Sequence, residues 1–137
     1  MNSKINIVYP PEDLIVVEKS PVKEGVDCLV LASPTTDNED YGFIAIKPLA
    51  STPEQLVWQQ NTVTAETFVC GSGTLVIERA NGLIETYHFS GENDSFKSVE
   101  VFFGDTMRWI NVSSTECLFI LETCTPPFQD ERFTNLD

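Results

Sequence analysis

Two side chains of this chain could transfer a proton near neutral pH, Glu66 and His88. Glu66 opens the strand-like run Glu66-Thr67-Phe68-Val69-Cys70. A carboxyl in such a run works as a general acid or base if burial raises its pKa toward the working pH. Otherwise it is a surface glutamate, or a buried one that is only hydrogen-bonded. His88 is the one histidine in 137 residues. It is the side chain whose ordinary pKa lies nearest neutrality. Strand parity groups it with Ile84 and Thr86, opposite Glu85 and Tyr87. That placement suits a structural or surface histidine as well as a catalytic one. A single histidine excludes any centre with two or three histidine ligands from one chain, and a Ser-His-Asp or Cys-His arrangement could use only His88. The four cysteines, Cys28, Cys70, Cys117 and Cys124, include no C-x-x-C pair. They read as small hydrophobes in a reducing compartment rather than as a zinc site.

Lys and Arg number 8 against 21 Asp and Glu, a net charge of −13. Phosphate-backbone binding depends on basic side chains that release counterions, so a nucleic-acid partner is excluded. Anionic membrane surfaces are disfavoured for the same reason. The acidic surface reads as a solubility feature, with a basic protein partner as the sharper alternative. The first residues lack the apolar core of a secretory signal, and no apolar run approaches the length that spans a bilayer. The expectation is a soluble, cytoplasmic protein.

The elements that must position these groups are short strands. Residues 1–25 contain Pro10, Pro11 and Pro21 and read as an extended, edge-lying segment. Strands are expected over 26–31, 41–46, 66–70, 74–79, 83–89, 99–103, 107–112 and 116–122, separated by turn formers. Asn81-Gly82 between two alternating runs is a strong hairpin signal. Ser51-Thr52-Pro53-Glu54 resembles a helix start, but the run after it is short, and 56–60 reads as strand or irregular. Residues 129–137 form a tail. Many short strands without alternating long helices imply an all-β sandwich or closed barrel.

The order of these pieces resembles the cupin family, whose fold is a double-stranded β-helix or jelly-roll barrel. The resemblance covers roughly residues 26–128. Glu66 is followed after six residues by Gly73, as in the first cupin motif. Residues 102–111 are similar to the second motif at Gly104 and Asn111. The segment Cys124-Thr125-Pro126-Pro127-Phe128 is similar to the stretch after the last barrel strand of many single-domain cupins. The family's histidine slots, however, fall on Gln59 and Asn61 (or Gln60 and Thr62) and on Met107. Of its usual metal ligands only Glu66 is present. Amide oxygens are weak donors to transition ions, and a thioether is too soft for most of them. The expectation is therefore no metal and no other cofactor.

By parity, Phe68 and Cys70 share the face of Glu66, and Asn111 and Trp109 share that of Met107. With Gln59, Gln60 and Asn61 they imply an amphipathic cavity: a carboxylate, amides, an indole and a thioether. Three functions compete. The first is a metal-independent barrel that binds a small organic molecule, with proton transfer through Glu66 for an isomerisation, epimerisation or cyclisation. The second is a metal-dependent enzyme with non-histidine ligands. The third is a non-catalytic acidic interaction module. The family resemblance also implies a homodimer.

Overall fold

The computed structural model describes residues 4–57, 61–125 and 133–136, except the side chains of residues 36, 37, 133 and 134. Among the described residues, twelve strands follow one another: β1 (Ile5–Ile7), β2 (Ile15–Lys23), β3 (Val26–Ser33), β4 (Thr36–Ile46), β5 (Gln55–Val57), β6 (Val63–Cys70), β7 (Ser72–Glu78), β8 (Ile84–Ser90), β9 (Lys97–Phe102), β10 (Thr106–Asn111), β11 (Leu118–Thr125) and β12 (Phe133–Asn135). They form a seven-stranded sheet in the order β1-β9-β6-β11-β4-β3-β2 and a five-stranded sheet in the order β12-β5-β10-β7-β8. Strands distant in sequence lie side by side, the jelly-roll arrangement expected of an all-β double-stranded β-helix.

The segments expected to flank the barrel contribute to its sheets. β1 and β2 are the edge strands of the larger sheet, and β12 pairs with β5. Pro21 sits in β2, where a missing N–H is tolerated because the strand pairs on one side only. The helix signal at Ser51-Thr52-Pro53-Glu54 does not produce a helix. Thr52 N–H instead donates to the Trp109 carbonyl of β10, and the Thr52 hydroxyl accepts the Trp109 backbone N–H, each at 2.9 Å. A tertiary contact thus overrides a local preference. At the predicted hairpin, Gly82 takes a φ of 90° and Gly82 N–H donates to the Arg79 carbonyl.

The two sheets close on an apolar interior. Phe68 and Phe89 stack at 5.6 Å, and Phe89 lies 5.8 Å from Trp109. Leu75, Ile77, Val99, Leu118 and Ile120 are fully buried around them. Gly73 is required here by close approach: a Cβ would lie 2.5 Å from a Leu118 methyl. The Glu66-to-Gly73 spacing therefore ends where a side chain of β11 presses on β7. Asp105 ties the β9–β10 turn to the β7–β8 hairpin. Its carboxylate accepts from Phe102 N–H, Ala80 N–H and the Arg79 guanidinium at 2.8–3.0 Å. Arg79 also reaches Glu85, whose carboxyl it holds down to about 2.

Asn111, the last residue of the second motif, works as a clasp. Its side-chain amide donates to the Ile46 and Glu116 carbonyls, and its oxygen accepts from Ser113 N–H. Truncation would leave buried backbone groups unpaired. Asn111→Ala is expected to lower stability by about 2–4 kcal/mol, read as a shifted urea midpoint at unchanged slope.

Candidate functional site

Glu66 stands in the middle of β6, between two neighbours in the sheet. In the antiparallel register it faces Val99 of β9 and Glu122 of β11. Side chains of directly opposed residues share a face and approach closely. Glu66 is completely buried and Glu122 is about nine-tenths buried. The fold therefore presses two carboxyls together inside an apolar shell.

That geometry favours a proton shared within the pair. Glu66 Oε1 accepts the Trp109 indole N–H at 2.9 Å. Its Oε2 has no well-placed N–H or O–H donor. The two glutamates hydrogen-bond to each other, and two carboxyls can do so only with a proton between them. Burial, then the charge of Glu122, then this bond push the Glu66 pKa well above the ordinary carboxyl value, and the Trp109 and Thr64 contacts pull less strongly the other way. The Glu66–Glu122 pair thus holds one proton at a pH where an ordinary glutamate is ionised.

Glu122 also borders a cavity of about 280 Å³. The cavity lies at the end of the barrel where β2, β3, β4 and β11 face β5 and β12. Gly42 opens it. Gly42 lies opposite Glu122 on β4, and a Cβ there would come within 3.2 Å of Cys28 Sγ and 4.0 Å of Glu122 Cβ. Asp40, two residues earlier on the same face, lines the cavity opposite Cys124. The Cys124 thiol donates to Glu122 Oε1 at 3.5 Å. Cys28 is pushed up to about 12 by burial and by the carboxyls of Glu122, Glu66 and Asp40. Cys28 therefore acts as a neutral wall group and weak donor, not as a nucleophile.

The structure rearranges the site expected from the strands. Phe68, Met107 and Trp109 do face inward, but they are sealed in the core and do not line the cavity. The Phe68–Phe89–Trp109 aromatic group and the indole bond to Glu66 fill that space. Glu66 itself does not reach the cavity; Glu122 stands between. Asn61 is exposed, at a φ of 63°. Gln59 and Gln60 lie outside the described residues. Cys70 was grouped with the inward face of Glu66, yet it is exposed. A β-bulge opposite Phe119 and Ile120 turns it to the outer side, because an extra residue reverses the alternation. His88 is exposed on β8, hydrogen-bonded through Nδ1 to the Thr74 hydroxyl at 2.9 Å. It stands on the outer face of the five-stranded sheet, across the barrel wall from Glu66.

Glu122, Asp40, Gly42 and Cys28 were absent from the candidate set. The signal for Glu122 was parity: Leu118, Ile120, Glu122 and Cys124 alternate along one face, so a carboxylate falls in line with core residues.

The donor set does not fit a transition-metal centre. Met107 is a buried thioether, and Glu66 is committed to Trp109 and Glu122. Among the described residues no group of three or more His, Cys, Asp or Glu is poised around a common point.

No family profile and no curated protein matches the chain. Solved structures do match. The capsular polysaccharide assembling protein CapF of Staphylococcus aureus is 19% identical at a TM-score of 0.68, over 95% of this chain and 35% of its own. Oxalate decarboxylase of Lactobacillus farciminis, in a formate complex, is 16% identical at 0.68, over 90% and 34%. The Bacillus subtilis oxalate decarboxylase is 17% identical at 0.66, over 85% and 29%, and has Mn(II) centres. This chain spans about a third of the length of these proteins. At such identity the likeness is one of fold.

The buried proton has a thermodynamic signature. Glu66 has a raised pKa when folded and titrates near 4.5 when unfolded, so above that pH unfolding releases a proton. Its stabilising contribution is full below the unfolded value and is lost as pH rises toward the folded one. Wild-type stability is expected to fall through this window by at most about 1.4 kcal/mol per pH unit. Glu66→Gln, which keeps an oxygen for Trp109, should show a flatter profile in urea titrations at several pH values. Equal slopes would contradict the assignment.

Proposed function

From the premise of a cupin-fold barrel, we propose that the chain binds a small organic molecule in the cavity beside Glu122 and transfers a proton to or from it. The observation that carries this reading is the hydrogen-bonded carboxyl pair at the cavity wall. Such a cavity, mostly apolar with a few orienting polar groups, is the usual form of a small-ligand site. Its volume is close to the lower end of the usual range of about 300–1,000 Å³.

Glu122 is the group that touches the ligand. Glu66 acts through it as a positioning residue that stores the proton. The Glu122 carboxylate takes a proton from a C–H or O–H of the ligand and returns it at the same or a neighbouring atom. Glu66 keeps its proton throughout and hydrogen-bonds the Glu122 carboxylate whenever that carboxylate is ionised, which sets its orientation and basicity. The net reaction is an isomerisation or epimerisation, with no oxidant and no metal step. This reading differs from catalysis by Glu66 directly, because Glu66 has no access to the cavity.

The same reading includes a homodimer in the cytoplasm. β2 is an edge strand whose Ile15, Val16 and Val17 are 53–57% exposed. Such an edge is a ready site for strand pairing with a second copy. Four free cysteines are consistent with a reducing compartment.

Two measurements test the proposal. Mass spectrometry of denatured protein, purified gently, should release a small molecule from the wild type. Incubation of that molecule with the protein in heavy water should place deuterium on one of its carbons. Glu122→Gln should abolish the exchange, whereas Glu66→Gln should slow it and shift its pH profile. Exchange that proceeds unchanged in Glu122→Gln would overturn the mechanism. Light scattering should give twice the chain mass, and Val16→Lys should give the monomer.

A further inference from the structure

The backbone gives no reason for glycine at position 42. Five of the seven glycines take a positive φ, and a Cβ on Gly73 would strike a Leu118 methyl at 2.5 Å. Gly42 has neither feature. Its φ lies outside the left-handed region. It pairs with Val30 of β3 and with Glu122 of β11, and neither ladder shifts register at that point. A glycine inside a strand brings no side chain to the packing and loses more backbone freedom on folding than alanine does. In a regular central strand such a residue marks a place where something comes close to the backbone. What lies over Gly42 is the cavity.

The space over Gly42 is a narrow slot. A Cβ there would lie 3.2 Å from Cys28 Sγ and 4.0 Å from Glu122 Cβ. Cys28 stands on β3 and Glu122 on β11, the strands that flank β4. The two wall atoms are therefore no farther apart than those two contacts laid end to end. Non-bonded atoms rest at about 3.5–4.0 Å from each other, so two contacts use up that width and the slot takes a single layer of atoms. A flat, unsaturated group fits edge-in. A puckered ring or a branched saturated carbon is too thick.

Resting on the cavity reading above, we propose that Gly42 is the specificity-determining residue and that the occupant is a flat, unsaturated molecule, an aromatic or conjugated ring, held edge-in between Cys28 and Glu122. A cavity of about 280 Å³ has room for roughly nine water-sized atoms at about 30 Å³ each, enough for one substituted six-membered ring. The slot also suits the proton transfer. When a C–H bond beside an unsaturated group breaks, the proton passes to Glu122 and the electron pair spreads over that group, which leaves a flat carbanion. A slot one layer thick holds the flat form better than the tetrahedral carbon before it, and such differential binding is what lowers a barrier.

The test uses two neutral probes with six carbons and one hydroxyl each: phenol, which is flat, and cyclohexanol, which is puckered. Binding to the full chain is measured by calorimetry near neutral pH, with urea unfolding to confirm that each variant is folded. Phenol is expected to bind at least about tenfold more tightly than cyclohexanol. Cys28→Ala removes one wall and should strengthen cyclohexanol until the preference falls below about threefold. Gly42→Ala fills the slot and should weaken phenol at least about tenfold. Equal or tighter binding of cyclohexanol to the folded wild type would overturn the slot while the cavity reading stood. An unchanged preference in folded Cys28→Ala, or an unchanged phenol affinity in folded Gly42→Ala, would do the same. If neither probe binds, the molecule released on denaturation decides: a flat unsaturated skeleton supports the slot, and a fully saturated one overturns it alone. No bound probe and no released molecule would overturn both readings.

Discussion

A carboxyl moved from water into an apolar interior is far more costly charged than neutral, and two carboxyls moved together are more costly still. The antiparallel register of β6 and β11 imposes that situation by placing Glu66 directly across from Glu122. The barrel resolves it by keeping a proton within the pair and giving Glu66 Oε1 the Trp109 indole N–H. Much of the interior is arranged around that bond. Trp109 is held in place by Phe89 and by Thr52, which fastens its backbone. Phe68 and Phe89 close the space beside it. The aromatic group and the acid pair are therefore one unit, with the indole at their junction.

The same unit explains what kind of barrel this is. Where a jelly roll of this type could gather imidazoles around an ion, this interior offers a thioether, an indole and a carboxyl already engaged. The open volume lies one strand farther along, over Gly42, where the absence of a side chain uncovers Glu122. Glu66 is completely buried, and Glu122 lines the cavity.

Much of this was legible in the residues. The alternation in 66–70, 74–79, 83–89 and 107–112 gave strands and an inward face, and the inward positions of Glu66, Met107 and Trp109 follow from it. What alternation cannot supply is which inward residues touch one another and which touch empty space. That depends on summed side-chain volume across two sheets, and three aromatic rings filled the expected pocket. Glu122 was obscured for a related reason. A charged residue at the end of the run Leu118-Phe119-Ile120-Leu121 looks like a strand boundary, yet β11 continues to Thr125 and carries it inward. Cys70 was placed on the wrong face because a bulge is a tertiary adjustment between two strands, with no mark in either one alone. The helix-like opening at Ser51 yielded to the bonds that Thr52 makes with β10.

The account turns on one proton in one place. Infrared spectroscopy near neutral pH reads it directly, since a protonated carboxyl and a carboxylate absorb in separate regions. The wild type should show a neutral carboxyl band that persists well above the ordinary glutamate pKa, shifts when glutamate is labelled with carbon-13 at the carboxyl, and disappears in Glu66→Gln. A spectrum with carboxylate bands alone at that pH, in folded wild-type protein, would contradict it.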